Sequence, residues 1–152
     1  MLLDNEVSFS VVSPQAVQVS RQLSQLTYAK AAMSDEADYV FILADADAAA
    51  VEHAVMTAKT GLLTNPELAA TIVLEAKAII PGEGLALRGP GVELVHFVSI
   101  DANGDWVGKR AQQVREFPLG IDMVFLDARG QVVCIPRTTT VEKQVTYGLC
   151  SC

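Results

Sequence analysis

The sequence predicts an α/β fold, a mixed β-sheet with helices on both faces. Three observations carry that expectation. In the first half of the chain, β-branched or apolar runs alternate with segments of helical spacing. One of those runs, ADYVFIL at 37–43, is continuously apolar, the pattern of a strand covered on both sides. In the second half, apolar runs are separated by short glycine-containing stretches, the pattern of hairpins. Strands alternating with helices early and hairpins late make a mixed sheet with helices packed on it.

The elements follow in order. Residues 7–12, VSFSVV, alternate and are β-branched, so they read as a strand. Ser13 is placed to cap a helix with Pro14 at its first position. Ala16, Val19, Leu23 and Leu26 then form one stripe, with glutamines on the other faces. After the 37–43 strand, Asp45 or Asp47 is expected to cap a helix that turns Val51, Val55 and Ala58 inward and stops at Gly61. ATIVLEAKAII at 70–80 predicts a strand, PGEG a four-residue loop, and LALRG the returning strand of a hairpin. VELVHFVSI at 92–100 predicts a further strand or strand-loop segment. Asn103 is expected to cap a helix with Trp106, Val107, Ala111 and Val114 inward, ended by Phe117-Pro118. Finally, 121–126 and 131–136 pair through Asp127-Ala128-Arg129-Gly130, with Gly130 left-handed.

The length, 152 residues, suits one domain with a core large enough to stand without disulfides or metal. Charged residues make up only 19%, against about 25% in typical soluble domains. Apolar residues make up 51%, and a partner interface is one outlet for that surplus. A net charge of -7 without a basic cluster argues against nucleic acid, and no run is long enough for a membrane span. The opening MLLDNEV has no basic segment and is not expected to be a signal peptide. Three cysteines, Cys134, Cys150 and Cys152, do not make a disulfide framework, so a reducing, cytoplasmic setting is expected.

Few residues offer chemistry. GPG at 89–91 lies between strand-like segments and reads as a tight turn, not a phosphate loop. His53 and His96 have no ligand partners at useful spacing, Asp45 and Asp47 suit capping better than magnesium, and Lys30, Lys59, Lys77, Lys109 and Lys143 all read as surface. No metal site and no catalytic set is predicted. The exception is FPLGID at 117–122 with IPRTT at 135–139. Asp122 sits among apolar neighbours, so it needs donors. Arg137 offers a planar fork of them across the hairpin's open side, with Thr138 and Thr139 beside it. The group is either a structural clasp or half of an anion site.

FPLGID followed by IPRTT resembles the C-terminal signature of the PhnH family, one of the component proteins of the bacterial carbon–phosphorus lyase machinery. LLDNEVSF at 2–9 and LRGPGV at 87–92 resemble further family segments, so the likeness covers a single domain at 1–142 and leaves a tail at 143–152 unmatched. The matching motif residues are Phe117, Pro118, Gly120, Asp122, Pro136, Arg137, Thr138 and Thr139. The resemblance implies a fold similar to a reduced large domain of pyridoxal-phosphate-dependent transferases, without the cofactor. It implies a cytoplasmic, non-catalytic or accessory subunit, dimeric when isolated, that joins subunits G, I and J. Together with subunits G, I and L, the PhnH family is needed to attach a phosphonate to C1′ of ATP ribose with loss of adenine. Family members carry several tens of residues before the LLDNE stretch, so an N-terminal segment is expected to be missing here. Cys150 and Cys152 match no family feature and inherit no role. The alternative reading is a phosphonate-, nucleotide- or other anion-binding protein that uses Arg137, Thr138 and Thr139.

Overall fold

The computed structural model describes residues 2–144. Nine strands and three helices appear among them: β1 (Ser8–Val12), α1 (Ala16–Thr27), β2 (Lys30–Ala31), β3 (Tyr39–Ile42), α2 (Ala48–Thr57), β4 (Thr71–Glu75), β5 (Ala78–Arg88), β6 (His96–Asp101), α3 (Trp106–Gln113), β7 (Asp122–Leu126), β8 (Val132–Ile135) and β9 (Thr140–Lys143). The main sheet has the order β2-β1-β3-β4-β7-β8. Its first five strands are mutually parallel, and β8 closes the edge antiparallel to β7. A second, antiparallel sheet has the order β6-β5-β9. The α/β class and the mixed sheet agree with the sequence.

Strand alternation divides the core into two layers. Phe9, Val11, Tyr39 and Phe41 face α1, against Ala16, Val19 and Leu23. Val40, Ile42, Ile72, Leu74, Met123 and Phe125 face the other way, against Val51, Ala54 and Val55 of α2 and Trp106 of α3. Trp106 and Phe125 set their rings 4.5 Å apart and tilted, which seats α3 on β7. Leu26, expected on the inner stripe of α1, is instead exposed.

Several local expectations are corrected. Ser13 does not cap α1: its hydroxyl accepts from the Gln15 amide in a turn, and the helix starts after Gln15. Asp47 is the residue that caps α2, accepting from Ala50 at 2.7 Å. That helix ends at Thr57, so Gly61 falls in the following loop. Asp105, not Asn103, caps α3. Asn103 instead donates to the Ala46 carbonyl and ties the start of α3 to that of α2. The helix ends at Gln113, four residues short of Phe117. Ala111 is exposed, and Arg110 takes the inward place.

The largest difference lies at 70–88. No PGEG hairpin forms. The chain leaves the main sheet at Ala76, whose amide donates to Leu126, and enters the small sheet at Lys77, whose amide donates to Asp101. PGEG then runs through the middle of β5 as a bulge, with Gly82 and Gly84 at positive φ. The 92–100 stretch takes the strand-loop form: a turn closed by Val92 to Gly89 leads into β6. The 121–136 hairpin forms with its turn at 127–130, and Gly130 has φ +83°.

Candidate functional site

Antiparallel pairing of β7 with β8 puts Met123 opposite Ile135. Asp122 and Arg137 are therefore carried to the same end of the hairpin, at the amino-terminal edge of the parallel strands. There Arg137 donates to Asp122 three times: its backbone amide at 2.8 Å and Nε at 3.3 Å to Oδ1, and Nη2 at 2.7 Å to Oδ2. Its Nη1 donates to the Pro66 carbonyl at 2.8 Å and makes a longer contact of 3.5 Å to that of Pro118. Every nitrogen of the guanidinium is thus engaged. Burial raises the Asp122 pKa, but the hydrogen bonds and charge of Arg137, with a further contribution from Arg110, hold it below the ordinary carboxylate value.

The motif segments close around this pair. Phe117 and Pro118 are joined by a cis peptide, Phe117 is 76% exposed, and Leu119 turns back to Glu116. Gly120 has φ +149° and is buried. A Cβ there would lie 3.0 Å from Val114 Cγ1 and 3.1 Å from Arg137 Cβ. Pro136 begins a turn in which Thr139 donates to its carbonyl. Thr138 is exposed and Thr139 buried. The glycine turn also belongs here: a Cβ on Gly89 would meet the Thr138 carbonyl at 3.0 Å.

Sequence reasoning missed Arg110. It is only 2% exposed, and its Nη2 donates to the carbonyls of Pro136 at 2.7 Å and Thr139 at 2.8 Å. The 136–139 turn is therefore wrapped around a buried guanidinium. Burial draws its pKa below the usual guanidinium value, and the Asp122 charge opposes that shift. The signal was present in the spacing: Trp106, Arg110 and Val114 lie four apart, on one helical stripe. Gln113, one turn on, aims its amide at the Val55, Met56 and Ala58 carbonyls and closes the end of α2.

Other candidates lie elsewhere. Lys59, expected on the surface, pairs with Asp38, which also accepts from the Ser8 amide and hydroxyl. Burial raises the Asp38 pKa, but those contacts outweigh it and lower it overall. A cavity of about 590 Å³ opens at the carboxyl ends of β1 and β3, where α1 and α2 depart to opposite faces. This is the place where open α/β sheets take ligands. Its polar lining includes Ser13, Asp45 and His53, but the Ser13 hydroxyl donates to Asp45. His53 and His96 are exposed. Among the described residues no three His, Cys, Asp or Glu side chains group to hold a metal, and no helix is long and apolar enough to cross a membrane. Cys134 is exposed and free, whereas Cys150 and Cys152 lie outside the described residues.

Fold and site together define an α/β protein whose parallel sheet is closed at one edge by the β7–β8 hairpin and clasped there by Asp122 and Arg137. The profile of the bacterial phosphonate metabolism protein family PhnH matches residues 1–142, and the chain belongs to that family. It is 37% identical over 84 residues to the alpha-D-ribose 1-methylphosphonate 5-triphosphate synthase subunit PhnH of Rhizobium meliloti (strain 1021), covering 52% of this chain and 40% of that protein. It is 31% identical over 86 residues to HtxG of Stutzerimonas stutzeri, a candidate C-P lyase component, covering 56% of this chain and 44% of that protein. The matched stretches span less than half the length of each relative.

Proposed function

We propose that this chain is an accessory, non-catalytic subunit of a carbon–phosphorus lyase core complex, required for transfer of an alkylphosphonate to ribose C1′ of ATP. The observation that carries this reading is the family match across 1–142, beside a relative named as a subunit of the synthase for that product. In this reading subunits G, I and J are its partners, the isolated chain is a homodimer, and the complex works in the cytoplasm. A likeness to the large domain of pyridoxal-phosphate-dependent transferases, without the cofactor, belongs to the same proposal. The sheet with helices on two faces supports it. The Asp122–Arg137 pair is then a clasp that firms one end of the sheet.

Exposed apolar side chains near the clasp support a partner surface. Leu62 and Leu63 lie in the loop that supplies the Pro66 carbonyl, and Phe117 adjoins Pro118. Co-expression with subunits G, I and J followed by size exclusion tests the proposal. Co-elution is expected, and a chain that always elutes apart from them overturns it. The other reading, an anion site built on Arg137, is weakened in that form because all of its side-chain nitrogens are already engaged.

A further inference from the structure

Beside the clasp is a cavity of about 300 Å³. Its walls include Arg110 and Val114 of α3, Phe117, and the three threonines Thr138, Thr139 and Thr140. No carboxylate lines it. A volume of about 300 Å³ stands at the small end of the range for ligand pockets.

Around Asp122 the guanidinium groups outnumber the carboxylates they act on. Two guanidinium groups, Arg110 and Arg137, share one carboxylate, Asp122. Both oxygens of Asp122 are taken by Arg137. Among the described residues Arg110 hydrogen-bonds only through Nη2, and only to carbonyl oxygens, which carry no net charge. Its Nε is buried and has no partner. A guanidinium stays protonated at any ordinary pH, and a buried charge without a counter-ion is costly. The neighbouring threonine hydroxyls make no hydrogen bond among the described residues, so they remain available as donors.

We infer that this cavity is a binding site for a tetrahedral oxyanion, held by the unbonded Nη1 of Arg110 and by the hydroxyls of Thr138, Thr139 and Thr140. Charge-assisted hydrogen bonds from a guanidinium, joined by hydroxyl donors, suit phosphate or phosphonate oxygens. The oxyanion is either a free phosphonate or phosphate, or the terminal group of a nucleoside triphosphate. The site does not depend on assembly: the isolated chain binds there whether or not it joins other subunits.

Calorimetry on the full chain at constant ionic strength tests this, with inorganic phosphate, methylphosphonate and ATP as separate titrants. Saturable binding of at least one is expected. Phosphate and methylphosphonate binding alike assigns the site to the free oxyanion, and binding of ATP alone assigns it to the triphosphate. Arg110→Met should weaken binding at least tenfold. No saturable binding of any titrant overturns the inference, as does unchanged affinity in Arg110→Met. Should that variant not fold, the double variant Thr138→Ala/Thr140→Ala decides, since both residues are exposed. A loss of threefold or more supports the site, and unchanged affinity sinks it.

Discussion

Asp122 and Arg137 show how much one hairpin's register makes legible and where that legibility stops. Counting outward from the 127–130 turn brings residues 122 and 137 together without any tertiary knowledge. Whether the pair clasps or binds could not be read, because that depends on where the remaining Arg137 nitrogens go, to Pro66 and Pro118. Arg110 stayed hidden for a different reason: its place on the Trp106–Val114 stripe was legible, but an arginine there usually reads as solvated. The carboxylate and guanidinium side chains of the clasp are 35% and 17% exposed. Breaking a fully buried pair costs about 3–5 kcal/mol, and partial exposure reduces that to about 2 kcal/mol for Asp122→Asn. A chain of this size should then lose about 4–8 °C in melting temperature. The folded-state pKa of Asp122 is depressed, so its contribution is complete above about pH 5 and is lost as pH falls through about 4 and below. Melting curves of wild type and Asp122→Asn should therefore converge towards low pH. A gap that stays constant down to about pH 2.5 would count against the ion pair.

At the scale of elements, the long periodic segments and the DARG turn were readable, and the 70–88 region was not. PGEG has the composition of a turn, yet a glycine pair is equally at home in a bulge where a long strand bends. What decides between them is the partner strand β6, about fifteen residues further along, which local composition does not report. Helix α3, which carries Arg110, is tied at its start to the segment before α2 by Asn103 and at its end to the close of α2 by Gln113. Gln113→Ala removes the donors that close the end of α2, and a lost cap costs about 1 kcal/mol. Amide exchange should speed up in the last turn of α2 and the C-terminal half of α3, but not in α1. Uniform acceleration across all three helices would show that the tie is not local. Gly120→Ala imposes a φ of +149° on a residue with a Cβ, beside Val114 and Arg137. It should be destabilising by more than about 1 kcal/mol, measured as the shift in the urea midpoint.

Across the whole molecule, the apolar surplus is only partly spent on the two core layers. Leu62, Leu63, Leu68 and Phe117 remain half or more exposed. Phe117 is the most informative of them, because an aromatic ring left 76% open contributes little to the fold of the isolated chain. The backbone just after it is tied down, since the Pro118 carbonyl accepts from Arg137 and the Gly120 amide donates to the Thr60 carbonyl. An exposed aromatic ring on a backbone tied down on one side has the properties of an interface anchor. Sequence pattern could mark the segment but not the exposure, since FPLGI reads as core by composition alone. The subunit reading therefore makes a divided prediction for Phe117→Ser. Its stability should stay within about 0.5 kcal/mol of wild type, as for surface positions generally. Its co-purification with subunits G, I and J should fall by tenfold or more. Equal loss of stability and of assembly would return Phe117 to the core, and unimpaired assembly would move the docking surface away from this end of the sheet.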